Sequence, residues 1–208
     1  MEHMHFLNIY GFEITVFPKV YCPSDDSFMF CDVVISLNKK YECGLDVGCG
    51  CGILSMLLTR VCKHVVAIDI SGTATRNTWY NVKLNSTRHK VSVVRGNLTD
   101  PFKSSTFDFI VFNPPYLPID KCDLYVDEEE RIAWCGGVNG RLIIDRFLNT
   151  FSRVLRKNGE LMFLQSSLSD LQKTLEKLHE MGFEASVIFE KSFFFEKLYL
   201  IRVVRRWN

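Results

Sequence analysis

The order of apolar and polar positions divides the chain into a train of strands and helices. Phe6, Leu7, Ile9, Phe12, Ile14 and Val16 predict a strand-turn-strand piece over residues 6–20, turning at Gly11. Pro23 stops it, and an Asp or Ser of Ser24-Asp25-Asp26-Ser27 is expected to cap a helix running from about Phe28 to Leu37. Short apolar runs at 43–47, 65–68, 91–94 and 107–112 read as buried strands. Between them, 53–61 is an apolar helix and 71–85 a crossover helix of poor period, with Ala74, Thr78 and Val82 inward and Trp79 outward. Leu142 to Leu155 predicts one amphipathic helix, ended by Asn158-Gly159 before a strand over 160–165. Leu168, Leu171, Leu175, Leu178 and Met181 mark a last helix that stops at Gly182. Residues 185–189 and 198–204 close the chain as a strand pair, antiparallel because no helix separates them. The alternation predicts an α/β fold: a doubly wound, seven-stranded sheet, mostly parallel, with an antiparallel C-terminal pair. The 91–94 strand is expected at an edge, where bare apolar backbone invites a cover.

Composition narrows the class. The chain has 208 residues, 47% hydrophobic, with a net charge of +1. That length fits one domain over 1–208, with residues 1–27 as an N-terminal strand-turn extension near the site. No apolar run is long enough to span a bilayer, and the first residues lack a signal-peptide order, so no membrane segment is expected and the location is read as cytoplasmic, with the nucleus also open. The near-neutral charge gives no global footprint for nucleic acid, and the basic Arg202-Val203-Val204-Arg205-Arg206 reads as the solvated end of a strand. The eight cysteines contain no Cys-x-x-Cys pair and read as reduced core thiols, with no metal site. The acid run Asp127 to Glu130 reads as a solvated loop or helix start.

Two stretches carry chemistry. After the 107–112 strand stands Asn113-Pro114-Pro115-Tyr116. Two prolines cannot continue a strand, and Pro114 biases Asn113 towards an extended conformation. The result is a stiff shelf with two oxygen acceptors, the Asn113 side-chain carbonyl and a proline main-chain carbonyl, beside the Tyr116 ring. It suits the grip of both hydrogens of a flat –NH2 group. After the 43–47 strand, Gly48, Gly50 and Gly52 alternate into a helix start, letting a ligand approach the backbone and aiming amides at it. The spacing is not the dinucleotide pattern, and Asp46 just before it fits a cofactor carrying an amino group. Asp69 at the next strand end can accept both hydroxyls of a ribose. Asn97 can reach an adenine amino group, and Leu98 offers an amide to the ring. Together they predict an S-adenosylmethionine site, and hence methylation of a nitrogen with S-adenosylhomocysteine as product.

The glycine loop, the Asp69 strand end and Asn113 to Tyr116 resemble the class I, Rossmann-like S-adenosylmethionine-dependent methyltransferases. Val20 to Phe28 resembles Y-x-P-x-E-D-[ST]-F, and Ala133-Trp134-Cys135-Gly136-Gly137-Val138-Asn139-Gly140, continuing to Asp145-Arg146-Phe147, adds a second signature. With these, the chain is similar to the HemK-like protein N5-glutamine methyltransferases, in their short eukaryotic and archaeal branch. The resemblance implies methylation of the glutamine amide nitrogen in the Gly-Gly-Gln motif of a class I translation release factor. It also implies a heterodimer with a small zinc-binding activator seated on the edge near Val91 to Val94. It implies cofactor contacts from Ser27, Asp46, Gly48, Asp69, Asn97, Leu98 and Asn113, with Gly50 in the same loop. Asn97 departs from the family's usual acid. Competing readings are methylation of an exocyclic amine of adenine or guanine in RNA or DNA, methylation of a protein lysine, a non-catalytic cofactor-binding scaffold, and a nicotinamide oxidoreductase, which the glycine spacing disfavours.

Overall fold

A computed structural model describes residues 4–119 and 133–206. Cys122 and the acid run from Asp127 to Glu130 lie outside the described residues. The chain groups into two compact units, Met1–Pro101 and Phe102–Asn208.

In the first unit, β1 (His5–Ile9) and β2 (Phe12–Val16) form an antiparallel hairpin. Tyr10 and Gly11 both have positive φ, +54° and +77°, the two-residue turn whose twist matches paired strands. Helix α1 (Asp25–Ser36) begins three residues earlier than expected. Ser24 stands at its N-cap but makes no side-chain cap. Its hydroxyl instead donates to Asp26, which also accepts the Ser27 amide at 2.6 Å. Then follow β3 (Tyr41–Val47), α2 (Ile53–Leu58), β4 (Cys62–Asp69), α3 (Gly72–Leu84) and β5 (Val91–Arg95). β3, β4 and β5 are parallel, with Val47 opposite Ile68 and Asp69 opposite Arg95, so their carboxyl ends and the loops that follow lie on one side.

The weak period of α3 has a structural cause: its inner face is polar. Asn77, Thr78 and Asn81 are buried there. Asn77, Asn81 and Asn85, one turn apart, line up along the free edge of β2 and its continuation. The amides of Glu13, Thr15 and Phe17 donate to the side-chain oxygens of Asn85, Asn81 and Asn77 at 2.8–2.9 Å. The three –NH2 groups donate back to the carbonyls of Glu13 and Thr15. Each side-chain amide thus supplies the donor and acceptor that a neighbouring strand would have offered.

In the second unit β6 (Phe107–Phe112) appears with its expected bounds. The helix expected over 142–155 is two pieces, α4 (Leu142–Leu148) and α5 (Phe151–Val154). Thr150 breaks it, with its hydroxyl donating to the Phe147 carbonyl at 3.2 Å. Strand β7 (Leu155–Ser166) runs straight through Asn158-Gly159, where a stop was expected, with a register shift against β6 in that stretch. A 3-10 turn (Ser167–Ser169) precedes α6 (Leu171–Glu180), so Leu168 stands outside the last helix. β8 (Phe183–Ser192) and β9 (Lys197–Arg205) are antiparallel, as expected. Fully buried phenylalanines fill this core, with Phe112, Phe147, Phe151 and Phe183 in a chain of ring contacts of 4.6–5.6 Å. The basic tail is taken into the packing: Arg202 pairs with Glu160, Arg205 lies over Phe183, and Arg206 meets His179.

Among the described residues the main sheet has seven strands in the order β5-β4-β3-β6-β7-β9-β8, with the antiparallel pair at one end and β5 at the opposite edge. This is the expected mixed α/β architecture. The described cysteines are free thiols. Burial pushes the thiol of Cys51 up to about 12, and that of Cys49 well above its usual range, so both stay protonated.

Candidate active site

The first unit builds a cradle at the carboxyl ends of β3, β4 and β5. Gly48, Gly50 and Gly52 all have left-handed φ, between +55° and +87°. A Cβ on Gly52 would come within 2.8 Å of Thr78, whereas one on Gly50 would meet nothing within 4 Å. Gly50 therefore borders open space. The loop is clamped from behind by α3: the Thr78 hydroxyl donates to the Gly50 carbonyl and the Asn81 –NH2 to the Cys51 carbonyl, at 2.9 and 2.8 Å.

One expectation needs correction. The amide of Cys49 donates to the Ile68 carbonyl, that of Gly50 to Asp69, and that of Gly52 back to Cys49. These amides are used within the protein and are not aimed at a ligand. The loop's contribution at Gly50 is close approach, a wall without a side chain.

Asp69, half-buried, accepts the Gly50 amide on Oδ2 at 3.0 Å and the Ser71 amide on Oδ1 at 2.9 Å. Each carboxylate oxygen has capacity for a further bond, which suits a pair of hydroxyls. Burial raises its pKa. Asp46 is 1% exposed and accepts the Ser55 hydroxyl at 2.5 Å. Burial pushes its carboxyl up to about 7, against the Ser55 bond that lowers it, and the nearby Asp69 charge raises it further. Exposed Asn97 donates its –NH2 to Asp100 at 3.1 Å. The amide oxygen is then the group left to accept from an adenine amino group, so replacing the family's acid by asparagine keeps an acceptor in place. Leu98 follows with φ +47°. Ser27, buried in the first turn of α1, is held by Asp26 through its amide and hydroxyl. An open wall at Gly50, a two-oxygen carboxylate, an amide oxygen and a buried acid fit the parts of S-adenosylmethionine.

The second unit builds the shelf. Asn113, Pro115 and Tyr116 are half-buried and Pro114 is buried; among the described residues no peptide bond is cis. The Asn113 Oδ1 is shielded from solvent.

Support for the shelf comes from the glycine-rich stretch 134–142, a role that the pattern of residues did not reveal. Leu117 donates to the Trp134 carbonyl, Gly136 to Leu117, Ile119 to Gly137, and Leu142 to Gly136, at 2.7–3.0 Å. The fit leaves no room for side chains. A Cβ on Gly140, whose φ is +70°, would stand 2.2 Å from the Tyr116 carbonyl oxygen, and one on Gly136 would stand 2.6 Å from that of Gly140. Arg141, 2% exposed, pins the stretch to α6 by donating to the carbonyls of Ser169 and Asp170, to the Thr174 hydroxyl and to Asp145. Glycines at 136, 137 and 140 just before a helix were the available signal of close backbone approach.

The fold and the cradle define a class I S-adenosylmethionine-dependent methyltransferase. The Methyltransferase small domain family model matches residues 33–128. A relative from Methanocaldococcus jannaschii, provisionally named a protein N5-glutamine methyltransferase, is 32% identical over 96% of this chain and 98% of its own length. The eRF1 methyltransferase catalytic subunit mtq2 of Schizosaccharomyces pombe is 25% identical over 92% of each chain. The chain spans about half the length of the bacterial release factor glutamine methyltransferases that it matches. Among solved structures, the Encephalitozoon cuniculi Mtq2–Trm112 complex superposes with a TM-score of 0.67 at 24% identity, over 90% of this chain and 99% of that one. M. jannaschii TYW2, solved with S-adenosylmethionine, gives 0.67 at 15% identity, over 99% and 88%. This chain belongs to the HemK-like protein N5-glutamine methyltransferase family, and S-adenosylmethionine is its cofactor.

Proposed function

We propose that this chain methylates the side-chain amide nitrogen of the glutamine in the Gly-Gly-Gln motif of a class I translation release factor. It acts as the catalytic subunit of a heterodimer with a small zinc-binding activator, and residues 1–208 serve as one methyltransferase domain. The observation that carries the reading is the Asn113–Tyr116 shelf, in a chain whose near-full-length relatives include an eRF1 methyltransferase subunit.

S-adenosylmethionine, when bound, supplies an electrophilic methyl group on a sulfonium. The cradle residues Ser27, Asp46, Gly48, Gly50, Asp69, Asn97 and Leu98 would hold it. An amide nitrogen is a weak nucleophile because its lone pair is delocalised into the carbonyl. The Asn113 oxygen and the Pro114 carbonyl accept its two hydrogens, which orients the nitrogen and raises its electron density. Tyr116 lies against the flat amide, and Pro115 stiffens the shelf. The activator adds a strand to β5, an edge strand whose Ser92 is exposed and whose Val93 and Val94 are half-buried.

Radiolabel transfer to purified release factor tests the reading, with the activator co-expressed. Label is expected on the intact factor and absent when its Gly-Gly-Gln glutamine is replaced. Equal labelling of both factors, or transfer only to RNA or DNA with a steep fall between about 50 and 200 mM salt, contradicts it.

A further inference from the structure

We infer that the turn between β8 and β9 is a docking point for the protein substrate, gripping an apolar side chain a few residues from the methylated glutamine. The inference rests on the substrate reading above and concerns a part of the chain given no role so far.

Phe194 and Phe195 are 92% and 85% exposed, with their rings edge to face at 4.6 Å. They are not a loose end. The Phe193 amide donates to the Glu196 carbonyl, closing the turn at 2.7 Å. Glu196 accepts the Ser166 hydroxyl, and the Lys197 amide donates to the Ser167 hydroxyl at 3.0 Å, which ties the turn to the end of β7. Two adjacent aromatic rings held in water expose apolar area that folding ordinarily removes, and such patches mark places of association.

Strand register places the turn beside the shelf. β6 and β7 are parallel, with Phe112 opposite Phe163, so Asn113 leaves β6 at the end where β7 finishes. Ser166 lies opposite Leu198 of β9, and Lys197 lies opposite Ser192 of β8. The turn and the shelf therefore crown the same end of these strands. With strands about 4.8 Å apart, the lateral separation is roughly 10–14 Å. The turn also stands beyond Phe163 by the three residues to Ser166, about 10 Å along the strands, so an extended peptide covers the distance in about five residues.

The surroundings favour a polypeptide partner. Ile119, which follows the shelf, and Val138 and Leu142, from the stretch that supports it, are exposed. Leu168, in the turn after β7, is exposed as well. With Phe194 and Phe195 they form an interrupted apolar rim at the acceptor end of this unit. Apolar anchors of this kind suit side chains flanking a loop, whereas phosphates call for clustered lysine and arginine; the two lysines that flank the turn are engaged, Lys191 over the Phe193 ring and Lys197 with Glu190.

The test uses the heterodimer with its activator and compares wild type with the Phe194→Ser/Phe195→Ser pair, and with Ile188→Ser on the same hairpin as control. Release factor KM is expected to rise about 10–30-fold in the pair, the size of losing interface anchors, with kcat at saturation largely retained. The control keeps its KM, and the thermal midpoint of both variants is unchanged. If wild type labels the glutamine and the pair keeps its KM, the docking point is wrong and the glutamine reading stands. If the pair loses transfer to nucleic acid while wild type labels no release factor, both fall.

Discussion

The loop after β3 and the shelf after β6 each interrupt a buried parallel strand at its carboxyl end, yet they are held in different ways. The glycine loop is fixed by side chains of its own unit: Asp69 takes the Gly50 amide, Thr78 the Gly50 carbonyl and Asn81 the Cys51 carbonyl. The shelf is fixed by main-chain bonds to a stretch that follows it by about twenty residues, with glycine where no side chain fits. One region is clamped and leaves a gap at Gly50. The other is pressed between backbones, and the exposed Ile119, Val138 and Leu142 belong to it and to the stretch that supports it. Under the proposed function, cofactor holding falls to the first and acceptor positioning to the second, and damage to each should read out separately.

The largest effect is expected at the acceptor. Asn113→Ala should lower turnover by roughly 10²–10³-fold, as removal of one preorganised polar group does elsewhere, with cofactor affinity much less affected; steady-state kinetics on release factor checks it. Gly140→Ala comes next. Its Cβ would stand 2.2 Å from the Tyr116 oxygen at a left-handed φ, so about 1–3 kcal/mol of stability should be lost along with transfer rate, read by thermal melting and by activity with cofactor saturating. The smallest is a pH effect in the cradle. The Asp46 carboxyl is raised from 3.8 to about 7. The folded, cofactor-free chain thus keeps a proton that the unfolded chain gives up, so stability falls as pH rises from about 4 to 7 and levels off above. Melting between those limits should reveal the slope, and Asp46→Asn should flatten it. Donor affinity should run the other way, rising to about pH 7, because an ammonium group prefers the ionised acid.

Much of the fold could be read from periodicity, because buried strands such as 107–112 are simple apolar runs. The features that escaped are those in which polar groups do the packing. The asparagines 77, 81 and 85 recur at helical spacing, but a search for apolar faces passes over them, and so the docking of β2 was invisible. Asn158-Gly159 reads locally as a stop, yet β7 absorbs it through a shift in register. The glycine loop and Asp69 were legible as a site because their residue types are rare together. That the loop's amides turn inward depends on partners distant in sequence, Asp69 and Ile68. The shelf was legible for the same reason as the loop, and its support was not, because main-chain bonds leave no mark on composition beyond the glycines that permit them.

The division of labour is tested most directly by a crossed measurement on two variants, with cofactor titration and single-turnover transfer run on each. Gly50→Ala places a methyl group in the open space of the cradle. It should weaken cofactor binding by about tenfold or more, equivalent to roughly 1.4 kcal/mol, while transferring near the wild-type rate once saturated. Asn113→Ala should bind cofactor near normally and transfer slowly at any concentration. An Asn113→Ala protein that methylates at the wild-type rate, or a Gly50→Ala protein that binds normally and fails only in transfer, would contradict the account.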